Sequence, residues 1–202
     1  MIPYASQTSG PNLRLIQAAG WRQMVSPDTA RENGTNPPTM FALDNGAWPA
    51  FVHSRPWDEE AFMRCVDLMG ARADFVVVPD VVANREATLA QADVWIAKLA
   101  GLPLYLALQD GMEWTDVDPF CSRLAGFFQG GSTDWKLRTM AEWGAYCGAR
   151  GLRLHVGRVN TARRIRMCHD AGAHSFDGSS VSRFAKMNLR RLDNEVRQGW
   201  LF

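Results

Sequence analysis

Eight short apolar runs recur along the sequence, at residues 2–5, 21–25, 40–43, 75–78, 104–108, 126–128, 152–156 and 173–176. Each is too short for a helix, and each ends in a polar or glycine-rich corner. Runs that are apolar throughout suit strands buried on both faces, as in a parallel sheet. Between them lie stretches with helical period, at residues 57–70, 84–99, 133–150, 161–172 and 179–200. The first opens on Asp58, Glu59 and Glu60, acids that favour a helix N-terminus, and stops at Gly70. Strands alternating with helices build βαβ units with right-handed crossovers. Eight strand–helix pairs predict one α/β domain over residues 1–202, a compact (β/α)8 TIM barrel at about the lower size limit of ~200 residues. An open doubly wound sheet is the alternative.

Composition removes several other classes. With 47% hydrophobic and 21% charged residues the chain has no disordered character. Cys65, Cys121, Cys147 and Cys168 are far apart and form no C-x-x-C pair, which argues for reduced packing thiols over disulfides or a zinc site. No signal peptide and no apolar run of membrane-spanning length is visible, so a cytoplasmic location without membrane contact is expected. Net charge is +1 overall, yet residues 151–202 carry ten Lys/Arg against four Asp/Glu. That basic third points either to an anionic partner or to a solvated helix face. The oligomeric state is left open, a homodimer included.

The corners after the runs carry the chemistry-bearing residues, and in a barrel such corners converge on one mouth. They hold Asp44, Asp80, Gln109, Gln129, Arg158 and Asp177. Acids sharing a mouth have their pKa values pulled apart, so that one can exchange protons while another stays an anion. Each Asp has a plainer reading as a cap on the following helix. Gly130 and Gly131 suit backbone N–H donation to a carbonyl, and Gly157 suits close approach to a ligand. Trp48 is placed to stack on a planar ring, or to fill a core. His155, inside a strand run, reads first as a core histidine. Arg163, Arg164 and Arg166, with Arg183 and Lys186, could form a phosphate-binding rim or a solvated face. No phosphate loop or dinucleotide fingerprint is present, and no cofactor is expected.

At these corners the sequence resembles the tRNA-guanine transglycosylase superfamily, and most of all the branch that places 7-deazapurines in DNA. That family's Asp-Ser-Gly-Gly-Phe/Tyr corner is similar to Asp44-Asn45-Gly46-Ala47-Trp48. Its next Asp is similar to Asp80, and its Val-Gln-Gly-Gly corner to Leu108-Gln109-Asp110-Gly111. A glycine corner like Gly130-Gly131 follows, then a Met-Gly-Val-Gly corner similar to Val156-Gly157-Arg158-Val159. Its nucleophile's Phe-Asp-Cys corner is similar to Phe176-Asp177-Gly178.

The resemblance implies a pentosyltransferase acting on the N-glycosidic bond of a purine or 7-deazapurine. Asp177 would attack the sugar C1′ and form a covalent intermediate. Asp44 would handle the proton of the leaving or entering base. Asp80 and Gln109 would read the base edge, aided by N–H groups at Gly130-Gly131, with Trp48 and Val156 enclosing the ring. The Cys/His zinc subdomain of the tRNA enzymes has no counterpart after Asp177, which favours DNA, or a smaller nucleoside or nucleotide substrate, over tRNA. Two other classes compete. One is a metal-dependent barrel with Asp44, Asp80, Asp177 and His155 around a divalent cation. The other is a non-catalytic subunit that binds nucleic acid through the basic third.

Overall fold

The computed structural model describes residues 1–32 and 39–198. Its elements run β1 (Ile2–Ser6), α1 (Gly10–Ala18), β2 (Arg22–Val25), α2 (Pro27–Glu32), β3 (Phe41–Leu43), α3 (Ala47–Val52), α4 (Glu59–Met69), β4 (Val76–Val77) and α5 (Arg85–Lys98). They continue with β5 (Leu104–Leu108), α6 (Trp114–Val117), β6 (Gly126–Gln129), α7 (Thr133–Ala149), β7 (Arg153–Val156), α8 (Ala162–Asp170), β8 (Ser175–Gly178), α9 (Ser180–Arg183) and α10 (Ala185–Gln198). The eight strands are parallel and pair in sequence order, and β8 returns to β1 with Tyr4 opposite Asp177. The sheet is therefore a closed (β/α)8 barrel rather than an open one.

Two apolar layers account for the strand composition. One fills the space between strands and helices and includes Leu43, Val76, Leu106, Phe127, Val156 and Phe176. The other lies inside the barrel and consists of Tyr4, Met24, Ala42, Phe75, Val77, Tyr105 and Ala107. Alternate residues of each strand feed alternate layers, so both faces are apolar and no amphipathic alternation shows in the sequence. Phe75 and Tyr105 stack inside the barrel with centroids 4.1 Å apart.

Helices start on dedicated caps. Asp58, Asn84, Ser132 and Thr161 accept backbone N–H bonds at the heads of α4, α5, α7 and α8. The residues before α3 and α9 are Gly46 and Ser179. Neither Asp44 nor Asp177 is a cap, which removes the plainer reading of both. The helix expected over residues 179–200 is instead two, broken at Phe184, whose φ of −135° and ψ of 49° leave the helical region. Its last two residues, 199 and 200, lie outside the described residues. Cys121, Cys147 and Cys168 are free thiols, and Cys65, Cys147 and Cys168 are buried. Among the described residues no helix is long and apolar enough to cross a membrane.

Candidate active site at the C-terminal mouth of the barrel

Strand alternation decides what reaches the mouth. On β7, His155 points inward, Val156 points out to the helices, and the following Gly157 faces inward again. On β8, Ser175 and Asp177 share the inner face with His155. His155 Nδ1 lies 2.8 Å from Ser175 Oγ, and its Nε2 lies 3.1 Å from Asp177 Oδ1. Burial holds the imidazole pKa below its usual 6.5, the neighbouring Asp177 opposing that shift. A neutral ring carries one N–H, and a carboxylate oxygen accepts. The proton therefore sits on Nε2, and Ser175 donates to Nδ1. The ring is fixed in turn by Phe128, stacked with centroids 4.8 Å apart, and by the edge of Tyr4 at 5.6 Å.

Asp177 Oδ1 accepts a second bond, from the Arg158 backbone N–H at 3.3 Å. Arg158 has φ of +60°, a left-handed conformation that costs an L residue about 1–2 kcal/mol. Among the described residues no donor reaches the other oxygen, Oδ2. Gly157 beside it cannot be larger, since a Cβ there would stand 2.9 Å from the Phe128 ring.

Across the barrel, β3, β4 and β5 deliver the second group. The Asn45 amide donates to Asp80 Oδ1 at 2.7 Å and to the Val78 carbonyl at 2.9 Å, while its own oxygen accepts from the Ala47 N–H. Gln109 Nε2 donates to Asp80 Oδ2 at 2.6 Å, and Gln109 Oε1 accepts from the Ala83 N–H at 3.0 Å. Asp80 thus has both oxygens held. Burial lifts its pKa to about 6 against these stabilising donors. Asp44 is lifted further, to about 7, by burial first and then by the negative charges of Asp177 and Asp80. Part of its side chain remains exposed at the mouth. Asp44 is therefore an acid poised to exchange a proton near neutrality, within electrostatic reach of both other carboxyls.

Trp48 and Arg158 meet above this floor. The Arg158 guanidinium lies over the Trp48 ring, 4.1 Å from its centroid, and also donates to the Gly131 carbonyl. Because β3 and β7 are diametrically opposed in the closed barrel, this pair bridges the mouth from rim to rim. An open cleft of about 320 Å³, lined by Met1, Cys147, Arg153 and His174, lies at the other end of the strands and away from these acids.

Several expected partners fall elsewhere. Val156 is fully buried in the strand–helix layer and cannot face Trp48, because its strand parity points it outward. The Gly130 N–H donates to the Phe128 carbonyl at 2.9 Å, and Ser132 N donates to Asp110. Of the glycine pair only the Gly131 N–H is without a protein acceptor among the described residues. Arg163, Arg183 and Lys186 are exposed, Arg164 is half-buried, and Arg166 is engaged by Glu195 at 2.8 Å. Among the described residues no three His, Cys, Asp or Glu side chains are grouped as a cation would require, so Asp44, Asp80, Asp177 and His155 do not assemble the metal site that the sequence left open.

Two site residues escape a reading of the sequence. Asn45 is one, since only the fold shows that it anchors Asp80. The other is Lys136, 4% exposed in the first turn of α7, whose Nζ donates to the Gly157 carbonyl. Burial, with Arg158 adding to it, depresses its pKa to about 7. A signal existed: residues 136, 140, 143 and 147 form the buried stripe of α7, and a lysine stands where the stripe requires an apolar side chain.

The fold and site together define the class, a barrel with an acid-based mouth. Compared with known proteins, the chain matches no family model, and no curated protein is significantly similar to it.

Proposed function

We propose that the protein is a pentosyltransferase that exchanges a purine or 7-deazapurine base at an N-glycosidic bond, through a covalent intermediate on Asp177. The observation that carries this reading is the contrast between two inward acids. Asp177 has one oxygen held by two donors and the other free, while Asp44 is an acid poised near pH 7. Asp177 Oδ2 attacks the sugar C1′, the C1′–N bond breaks, and its electron pair leaves with the base, which takes a proton from Asp44. The entering base loses its proton to Asp44 and attacks C1′, and Asp177 departs as a carboxylate. Asp80 and Gln109, locked to each other, present a rigid polar edge to the base, and the Trp48 indole offers a stacking face. The substrate is nucleic acid, with DNA first, held by the exposed cations Arg163, Arg183 and Lys186.

The test is incubation with labelled guanine or a 7-deazaguanine base and DNA, tRNA or a free nucleoside, followed by nucleoside mass spectrometry. Label should enter nucleic acid, and a protein–nucleic acid adduct should be trapped on denaturing gels. Asp177→Asn should give no adduct. Absence of both exchange and adduct with every substrate overturns the reading.

A further inference from the structure

The carbonyl that Lys136 binds belongs to a peptide unit with a second occupation. Gly157 C=O and Arg158 N–H are the two ends of one amide. Lys136 Nζ donates to its oxygen, and its N–H donates to Asp177 Oδ1. Hydrogen bonds in series through one amide polarise one another, so a charge at the carbonyl end makes the N–H a stronger donor. We propose that Lys136 is a positioning residue for Asp177, acting as an ammonium through the Gly157–Arg158 peptide. This rests on the reading of Asp177 as nucleophile.

Three features make the arrangement more than a buried lysine finding an acceptor. First, the peptide it grips is the one whose left-handed Arg158 conformation turns the N–H inward. Second, Asp177 Oδ1 draws its other bond from neutral His155, so this peptide is the only route by which a full positive charge is hydrogen-bonded toward the carboxylate among the described residues. Third, Asp177 faces the like charge of Asp44 across the mouth, which a relayed cation offsets. With Oδ1 fixed, Oδ2 is aimed at the substrate. When the sugar–oxygen bond breaks again, the returning charge falls on a carboxylate that already has two donors.

The experiment compares Lys136→Met and Lys136→Arg in the whole protein, with single-turnover adduct formation as the readout at saturating DNA. If the lysine only fills space, Lys136→Met, close in shape, is nearly normal and the bulkier Lys136→Arg is worse. The relay requires the opposite order. Lys136→Met should lose roughly 10- to 100-fold in rate with DNA affinity unchanged, below the ~10²–10³ of a donor touching the charge directly, and Lys136→Arg should recover part of it.

A pH profile gives a second measure, with a substrate whose leaving base needs no protonation, so that Asp44 is not required as a proton donor and acts on Asp177 only through its own charge, which appears near pH 7. The groups facing Lys136 are His155 of β7, Arg158 in the corner after it, Arg164 and Cys168 of α8, and Asp177 of β8. Cys168 is pushed up to about 12 and His155 below its usual value, so neither changes charge on the alkaline side of neutrality. The wild-type rate should fall between pH 7 and 9 as the ammonium is lost, and the Lys136→Met profile should lack that fall and keep only the dependence that Asp44 imposes on both proteins. A wild type that forms adduct, beside a Lys136→Met that matches its rate at pH 7, overturns the relay and leaves Asp177 standing. A wild type that forms none overturns the reading beneath it.

Discussion

Burying Lys136 costs folding free energy, and the structure sets the scale. Its pKa falls from 10.5 to about 7 in the folded protein. At ~1.36 kcal/mol per pKa unit the shift is worth about 5 kcal/mol, a ceiling on the cost at pH 7. The direction follows from proton counting. Between pH 7 and 10.5 the unfolded chain keeps a proton on this lysine that the folded protein has lost, so stability rises with pH across that window. Lys136→Met removes the cost, so at pH 7 the variant should be more stable than the wild type by about 2–4 kcal/mol, less than the ceiling because the bond to Gly157 is lost. The advantage should shrink by about 1.4 kcal/mol per pH unit above 7. Cys147 and Cys168, both pushed up to about 12, subtract stability above pH 9 in both proteins and largely cancel in the difference. Urea unfolding of both proteins at pH 7, 8 and 9 reads the quantity directly. A Lys136→Met variant that is less stable than wild type at pH 7, or a difference that does not narrow with pH, refutes the reasoning.

Further predictions concern the acids and the cationic face. Asp44 and Asp80 have raised pKa values, so the folded protein holds their protons more tightly than the unfolded chain and loses stability as pH rises from 4 to 7. Asp44→Asn and Asp80→Asn should flatten that dependence and raise the melting temperature at pH 7.5 while exchange is lost, as thermal scans across pH will show. Asn45→Ala strips Asp80 of a donor and leaves the Val78 carbonyl unpaired, which should cost about 1–3 kcal/mol in chemical unfolding and weaken base binding. His155→Phe keeps the stack on Phe128 but removes the donor to Asp177, and should slow adduct formation by roughly 10-fold or more in single-turnover assays. DNA affinity should fall steeply with salt, and Arg163→Glu should weaken it more than Arg166→Glu, because Arg166 already faces Glu195.

The barrel was legible because its strands are buried on both faces and its helices are capped locally. Three runs, those preceding Ser6, Gln129 and Asp177, ended too early at the mouth, where polar residues continue the strands. The run over 173–176 stops at Phe176, yet β8 continues through Asp177 to Gly178, and the run over 126–128 omits Gln129, which pairs with Val156. The short helices α3 and α6 give no periodic signal, and α3 even exposes Trp48 and Phe51. Strand-end acids could be named from the sequence, but not their partners. Val156 and Gly157 are neighbours in the chain and face opposite layers, a distinction that hangs on one residue of strand parity. The buried stripe of α7 marks Lys136 as out of place, but its partner at Gly157, like the partner of Asn45 at Asp80, lies on another corner and is reported by no local pattern.

The guanidinium lying on Trp48 makes ring binding an exchange rather than an addition. A planar ligand arriving at that indole face must first evict Arg158, so its measured affinity is the difference between two stackings. A cation–π contact of about 1 kcal/mol would lower apparent affinity roughly fivefold. The evicted side chain also gives up the Gly131 carbonyl and becomes a mobile positive charge at the rim. If the substrate is the nucleic acid proposed above, arrival of the ring would free a cation close to an anionic backbone. Under that proposal ring and phosphate would be sensed together, and a free base that brings no phosphate would meet the competition without the compensation.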